Sequence, residues 1–430
     1  MKLIFATPNK ENFFYGYFGK SQLNKNNDKL LCLKTNFINR IPEKNDFAEI
    51  GYFDLRSAKK KFVFLARTKT FNWQQGCMLQ WLGPKFEDQI IYNDKIGNKF
   101  SSIILNIKTK KKIILPLPIY DIDFNGKLAI CVDQERHFFC RRGYSYAGIE
   151  NNLKNKKIVK DDGIWTLNTK TKSFVQIINI LDLINFKPLS NMKDATHYIE
   201  HLSFRPDGNR FCFLHRWKMK DGGIYSRFYT SNLDGTELNL LLDSGRMSHF
   251  CWRNNTEILA YGGVPNSVNK LRKKKKLVRL IFKPLLPLFH FLFNDNSLIS
   301  KLATGDSYIL LNDKNNTIKK VAEDLRFEDG HPSFFPNNKN LFVTDLYPKK
   351  NNNHEAKLMT FDLKENKVNI IDTIKSNKKY DETPIRCDLH PKISFDGGYV
   401  SIDTLEENYR GVRLYKLNIK KIDKHTCYSQ

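Results

Sequence analysis

The chain has 430 residues, enough to bury a large core, but that length suits two ordinary domains and one closed repeat architecture alike. Aromatic residues make up 13%, with 32 Phe and 18 Tyr, and strand-like runs outnumber helix-like ones, so the chain reads as mainly β. The formal net charge of +26 would suit a polyanion, yet no zinc-finger spacing, basic zipper or Arg-rich recognition helix accompanies it, and many lysines sit beside asparagines in loop-like runs such as "KNNDK"; nucleic acid is not the expected partner.

The N-terminus "MKLIFATPNK" has four consecutive apolar residues after Lys2, too short for a signal-peptide core. The eight cysteines form no C-x-x-C pair and sit mostly in apolar strands, as small hydrophobes do in a reducing compartment. A cytoplasmic protein is expected, with the option of a peripheral position at the inner face of the membrane.

From Leu79 onward one phrase recurs: an aromatic strand, a Pro/Asp/Asn/Gly turn, then an alternating strand. The copies are "LQWLGPKFEDQIIYND" from Leu79, "YDIDFNGKLAICVD" from Tyr120, "HLSFRPDGNRFCFLH" from His201, "SHFCWRNNTEILAY" from Ser248, "HPSFFPNNKNLFVTD" from His331 and "HPKISFDGGYVSID" from His390. Each is a β-hairpin by its turn chemistry, and further hairpins with tips "NTKTK", "NLDGT" and "DLKEN" lie between copies. Two hairpins make a four-stranded antiparallel blade, and a ring of blades is a β-propeller. The single domain is expected to span 1–430.

The interval between the copies at Ser248 and His331 is too long for one blade. It holds an inserted arm, 266–300, that begins with "KLRKKKK", turns apolar from Leu277 to Phe293 and is broken by Pro284 and Pro287. That stretch is short for a membrane span. It suits an interfacial position in which 270–294 meets an anionic membrane surface, or packing on its own propeller or a partner subunit.

In a propeller the first strand of each blade lines the central channel. His201, His249, His331 and His390 hold equivalent positions in the phrase, so four imidazoles far apart in sequence are expected to face one space; the alternative for any one of them is a hydrogen bond to a neighbouring loop.

The runs "NWQQGCMLQWLG", "HLSFRPDGNRFCFLHRW", "SHFCW", "DGHPSF" and "CDLHP" resemble the blade motifs of seven-bladed propellers of the oligogalacturonate-lyase type, an architecture shared by ulvan lyases, over most of Lys69 to Tyr415. The resemblance implies β-elimination of a uronic-acid-containing oligo- or polysaccharide. That reaction needs a cation to neutralise the carboxylate, a base for the α proton and an acid for the leaving oxygen. It also implies a divalent metal, manganese or calcium, with His249, His331 and His390 as its candidate ligands. The family run has a glutamine three residues before the histidine of "HP" and a second histidine two after it. Here Cys387 and Lys392 stand there, which puts the metal in doubt and lets Lys392 supply positive charge itself.

By the same resemblance His215 in "FLHRW", or His201, is the candidate base, and Arg216, Arg386 and Arg410 are candidates for gripping the carboxylate. Neighbours on a strand face opposite ways, so His215 and Arg216 are not expected to share the channel. Gln74, Gln75 and Gln80 among aromatics suit sugar hydroxyls or a satisfied blade core. Arg142, Tyr144 and Tyr146 in "RRGYSYAG" suit an acidic sugar or a solvated loop. Trp217 and Lys392 complete the substrate-binding candidates. The reading is thus a lyase-like propeller for an acidic glycan, against a non-catalytic glycan-binding or scaffold propeller of cell-envelope polysaccharide biosynthesis.

Overall fold

A computed structural model describes residues 1–150, 153, 155–220, 222–264, 305–325, 328–349, 352–381 and 383–417. The arm expected at 266–300 and Cys427 lie outside the described residues. The seven described cysteines are free thiols, as their scatter through apolar strands suggested.

Among the described residues 28 strands form seven antiparallel sheets of four, each a blade of a propeller. Blades 1 to 6 span 12–68, 80–115, 121–179, 196–245, 247–321 and 333–375. Blade 7 combines three strands of 392–416 with the N-terminal strand Lys2–Ala6, which lies outermost and pairs Lys2 with Lys416. One sheet therefore holds both ends of the described chain, and the ring closes by backbone hydrogen bonds rather than leaving two open edges. Hairpin turns behave as their residues dictate: Gly126, Gly208 and Gly397 take positive φ in the turns "FNG", "PDG" and "DGG".

The core sits between blades, where alternate side chains of adjacent sheets interdigitate. Phe211, Phe213 and Tyr229 of blade 4, for example, pack with Ile130 and Leu167 of blade 3. Polar clamps fix neighbouring blades at the axis. Asn93 in blade 2 exchanges hydrogen bonds with the backbone of Ile119 ahead of blade 3, and Asp403 in blade 7 accepts the N–H groups of Tyr15 and Gly16 in blade 1. Gly263 and Asp306 are partners across one rung of blade 5, so the long interval in the sequence leaves and re-enters that blade between adjacent strands. Among the described residues no helix is long and apolar enough to cross a membrane.

Candidate functional site

The innermost strands carry a repeated irregularity. Two residues stand opposite one in blade 2 (Met78 and Leu79 against Tyr92), blade 4 (His201 and Leu202 against Phe213), blade 5 (Ser248 and His249 against Tyr261) and blade 7 (His390 and Pro391 against Ile402). Such a bulge re-aims a side chain that regular pleating would send into the sheet packing. Met78, His201 and His390 take φ of +52°, +53° and +45° there. The repeated histidines therefore turn into the channel, and His331, just before the inner strand of blade 6, joins them. Ring centroids lie 6.1 Å apart for His201 and His249, 4.0 Å for His249 and His331, and 4.2 Å for His331 and His390.

Blade 1 enlarges the same bulge. Phe14 pairs with Leu33 and Gln22 accepts the N–H of Leu31, so residues 15–21 stand opposite Cys32 alone. This excursion crosses the axis. Tyr17 stacks on His201 at 6.2 Å, Phe18 lies 4.9 Å from His331, 5.7 Å from His249 and 6.4 Å from His390, and Lys20 pairs with Asp121 of blade 3. Because the excursion rejoins its strand one rung further from the mouth, it forms a floor under the imidazoles.

Each histidine has its own electrostatic setting. Arg141 Nη1 is 3.3 Å from His201 Nε2, and an arginine only donates, so Nε2 accepts and the proton resides on Nδ1, 3.2 Å from Tyr17 Oη. Burial holds His201 well below the usual imidazole range; Glu200 opposes this and Arg141 reinforces it. His249 Nδ1 is 3.1 Å from Asp329 and 3.0 Å from Tyr347 Oη. Burial, then His331, lowers it, so it donates from Nδ1 and keeps a lone pair on Nε2. Burial would lower His331 too, but Asp345, 3.0 Å from its Nδ1, raises it above the ordinary value. Burial and then His331 and Lys392 hold His390 well below that value, and its ring makes no hydrogen bond among the described residues.

His331, Asp388 and His390 offer ligand atoms within 4.8 Å of one another. Carboxylates on Nδ1 of His249 and His331 are the outer-shell arrangement that presents Nε2 to a metal. Four carboxylates, Glu200, Asp329, Asp345 and Asp388, meet three guanidiniums, Arg141, Arg216 and Arg386, leaving one carboxylate in excess, which a protonated His331 or a bound cation balances. The imidazole and carboxylate donors fit a divalent cation. Lys392 does not discharge the excess, because its buried ammonium faces Asp403 at 3.3 Å and lies over Tyr15.

The other sequence candidates divide. Arg386 grips Asp388 through Nε and Nη2 and reaches Tyr144 Oη at 3.3 Å, so both belong to the mouth. Gln75 donates to Tyr120 Oη, which borders His201, and Gln74 donates to the Arg386 carbonyl. Arg142 lines a separate cleft of about 810 Å³ with Lys44 and Phe138. Tyr146 is buried against Asn93, and among the described residues Gln80 reaches only the Met78 carbonyl.

The structure places His215 and Trp217 inside blade 4 rather than in the channel. His215 Nε2 is 3.0 Å from His197 Nδ1, and its ring packs on Trp217 and Tyr229. Arg216 lies on the opposite face of that strand, as alternation requires, but its Nε meets Glu200 at 2.6 Å and its Nη2 the Met247 carbonyl, tying blade 4 to blade 5. Arg410 packs over Trp73 at 4.2 Å and donates to the Ile385 carbonyl. Glu200, Arg141, Asp329, Asp345, Tyr347, Asp388, Tyr17 and Phe18 are residues at the site whose roles the repeated phrase did not reveal.

By sequence, no described protein family and no curated protein matches the chain. Among solved structures, an oligogalacturonate lyase in complex with manganese superposes with a TM-score of 0.62 at 12% identity, covering 96% of this chain and 92% of that one. An oligogalacturonate lyase from Vibrio parahaemolyticus superposes with a TM-score of 0.59 at 11% identity, covering 96% and 93%. At these identities the likeness is one of fold.

Proposed function

We propose that the protein is a polysaccharide-lyase-like propeller that binds a uronic-acid-containing oligosaccharide at the histidine cluster and cleaves it by β-elimination. The observation that carries this reading is the meeting of three imidazoles from blades 5, 6 and 7 with an excess of buried carboxylate. His331, Asp388 and His390 would hold a divalent cation, which when bound neutralises the uronate carboxylate and acidifies the proton on its α carbon. Neutral His249, oriented by Asp329, is suited to take that proton on Nε2. Arg386 and Arg141 stand at the mouth to orient carboxylate oxygens. Burial keeps the Tyr17 phenol protonated, so it can donate to a leaving oxygen. The likeness in fold to lyases supports this reading without deciding the substrate.

The test is incubation of the purified protein with digalacturonate and other uronic-acid oligosaccharides, with manganese or with chelator, following the ultraviolet absorbance of an unsaturated uronate. Manganese-dependent absorbance that is lost in His249→Ala is expected. Saturable binding with no absorbance change across the panel would overturn cleavage and favour a glycan-binding propeller. The basic-apolar arm at 270–294 is proposed to meet an anionic membrane surface, which sedimentation with phosphatidylglycerol vesicles, with and without the arm, would test.

A further inference from the structure

The histidine cluster has a roof as well as a floor. The roof comes from the connection between the second and third strands of blade 3. It starts with helix α1 (Gln134–Cys140), whose N-terminus Asp133 caps by accepting from the N–H groups of Glu135 and Arg136. Arg136 fixes the helix by donating to the carbonyls of Lys156, Lys157 and His197. On the far side Tyr146 Oη meets Asn93, and Lys95 donates to the Gly148 carbonyl, both in blade 2.

Between these anchors, residues 141–144 cross the mouth. Arg141 reaches Glu200 and His201 in blade 4, and its guanidinium lies 3.6 Å from the Tyr144 ring centroid. Tyr144 Oη accepts from Arg386, and Gly143 faces Pro384, both in the connection from blade 6 to blade 7. Arg386 in turn lies over Tyr347, whose hydroxyl meets His249. With Phe18 below and this bridge above, His331 and His390 are only 2% and 3% exposed. No sugar reaches their rings unless one side moves. The floor is held by the hydrogen bonds of the Tyr15 and Gly16 N–H groups to the buried Asp403 side chain, and Arg141 is held by buried Glu200, whereas residues 142–144 beyond it join blade 7 through one side-chain hydrogen bond between half-buried groups. Local openings take place where few buried contacts are lost, and that is at residues 142–144.

We propose that residues 142–144 form a strap that swings on the anchored Arg141 to admit ligand to the histidine cluster, latched by the Tyr144–Arg386 contact. The ligand that releases it carries a carboxylate, because Arg386 Nη1 has no partner among the described residues and a carboxylate can replace the phenol on the same guanidinium.

The strap can be locked without reference to any activity. A Cβ on Gly143 would lie 3.4 Å from Pro384 Cβ, close to the separation in disulfides, and because Gly143 takes φ of +93°, where a side chain is strained, the reduced form of the same variant is the reference. In the full chain carrying Gly143→Cys and Pro384→Cys, hydrogen–deuterium exchange at the imidazole C2 positions is followed by mass spectrometry, with the half-buried His354 as internal control. Oxidation is expected to slow exchange at His249, His331 and His390 by about fivefold or more and reduction to restore it, since exchange reports the open population. Tyr144→Phe, which keeps the ring but loses the latch hydroxyl, is expected to speed exchange at the same three residues. Equal rates in the locked and reduced forms, or in Tyr144→Phe and the parent chain, would overturn the strap. That result leaves the proposed lyase activity to its own assay.

Discussion

Replacing Asp345 by Asn should damage both the fold and the site, because one buried carboxylate serves two blades. Its Oδ1 accepts from the His331 N–H at 2.7 Å and lies 3.0 Å from His331 Nδ1, while Oδ2 accepts from the His390 N–H at 3.2 Å. An asparagine keeps one acceptor oxygen. With that oxygen toward His331, the amide NH2 faces the His390 N–H, and two donors meet where no water reaches. Each unpaired buried donor costs about 1–3 kcal/mol, so the variant should lose about 2–5 kcal/mol of stability. Urea unfolding monitored by tryptophan fluorescence gives the difference, with exposed Asp161→Asn as the comparator expected to leave stability unchanged. Removing the charge also removes the main influence that raises the His331 pKa, so its titration, followed by NMR, should move down. A loss below about 1 kcal/mol, with His331 titrating as before, would refute the two-blade clamp.

Further outcomes follow from the same contacts. Burial lowers His197 to about 4, so it stays neutral in the fold while its unfolded form takes up a proton near pH 6.5; the stability this contributes is complete above about pH 6.5 and is lost as pH falls toward 4. Thermal unfolding between pH 7.5 and 4.5 should show that decline, and His197→Gln should make it shallower. Phe18→Ala should cost about 3–5 kcal/mol in urea unfolding, because its ring fills the axis between three imidazoles. Deleting residues 1–6 removes the outermost strand of blade 7, and its unfolding should separate from that of the remaining blades rather than stay in one transition.

The blades were legible because their information is local. The turns "PDG" and "DGG" and the alternating strands beside them fix each hairpin wherever it lies in the ring. The repeat also located the four histidines, since the bulges that aim His201, His249 and His390 occur at one place in the phrase and His331 stands just before the inner strand of its blade. Blade 1 escaped notice because its bulge is expanded to residues 15–21, which erases the phrase. Closure by Lys2–Ala6 leaves no mark at either end of the chain, since pairing with residues near 416 depends on the ring being complete. The same limit hid Phe18, Asp345 and Glu200, whose partners lie in other blades. His215 misled for a related reason. It closes the phrase that His201 opens, but on the second strand of that hairpin, and the bulge between Glu200 and Ser203 turns His201 inward while His215 pairs with His197 in the blade interior.

The most direct measurement is anomalous diffraction at the manganese edge from crystals grown with manganese. A peak bounded by His331, His390 and Asp388, with His249 beside it, is the expected result. Manganese bound only elsewhere, or absent from the channel at saturating concentration, would contradict a cation-assisted uronate site at the axis of the ring.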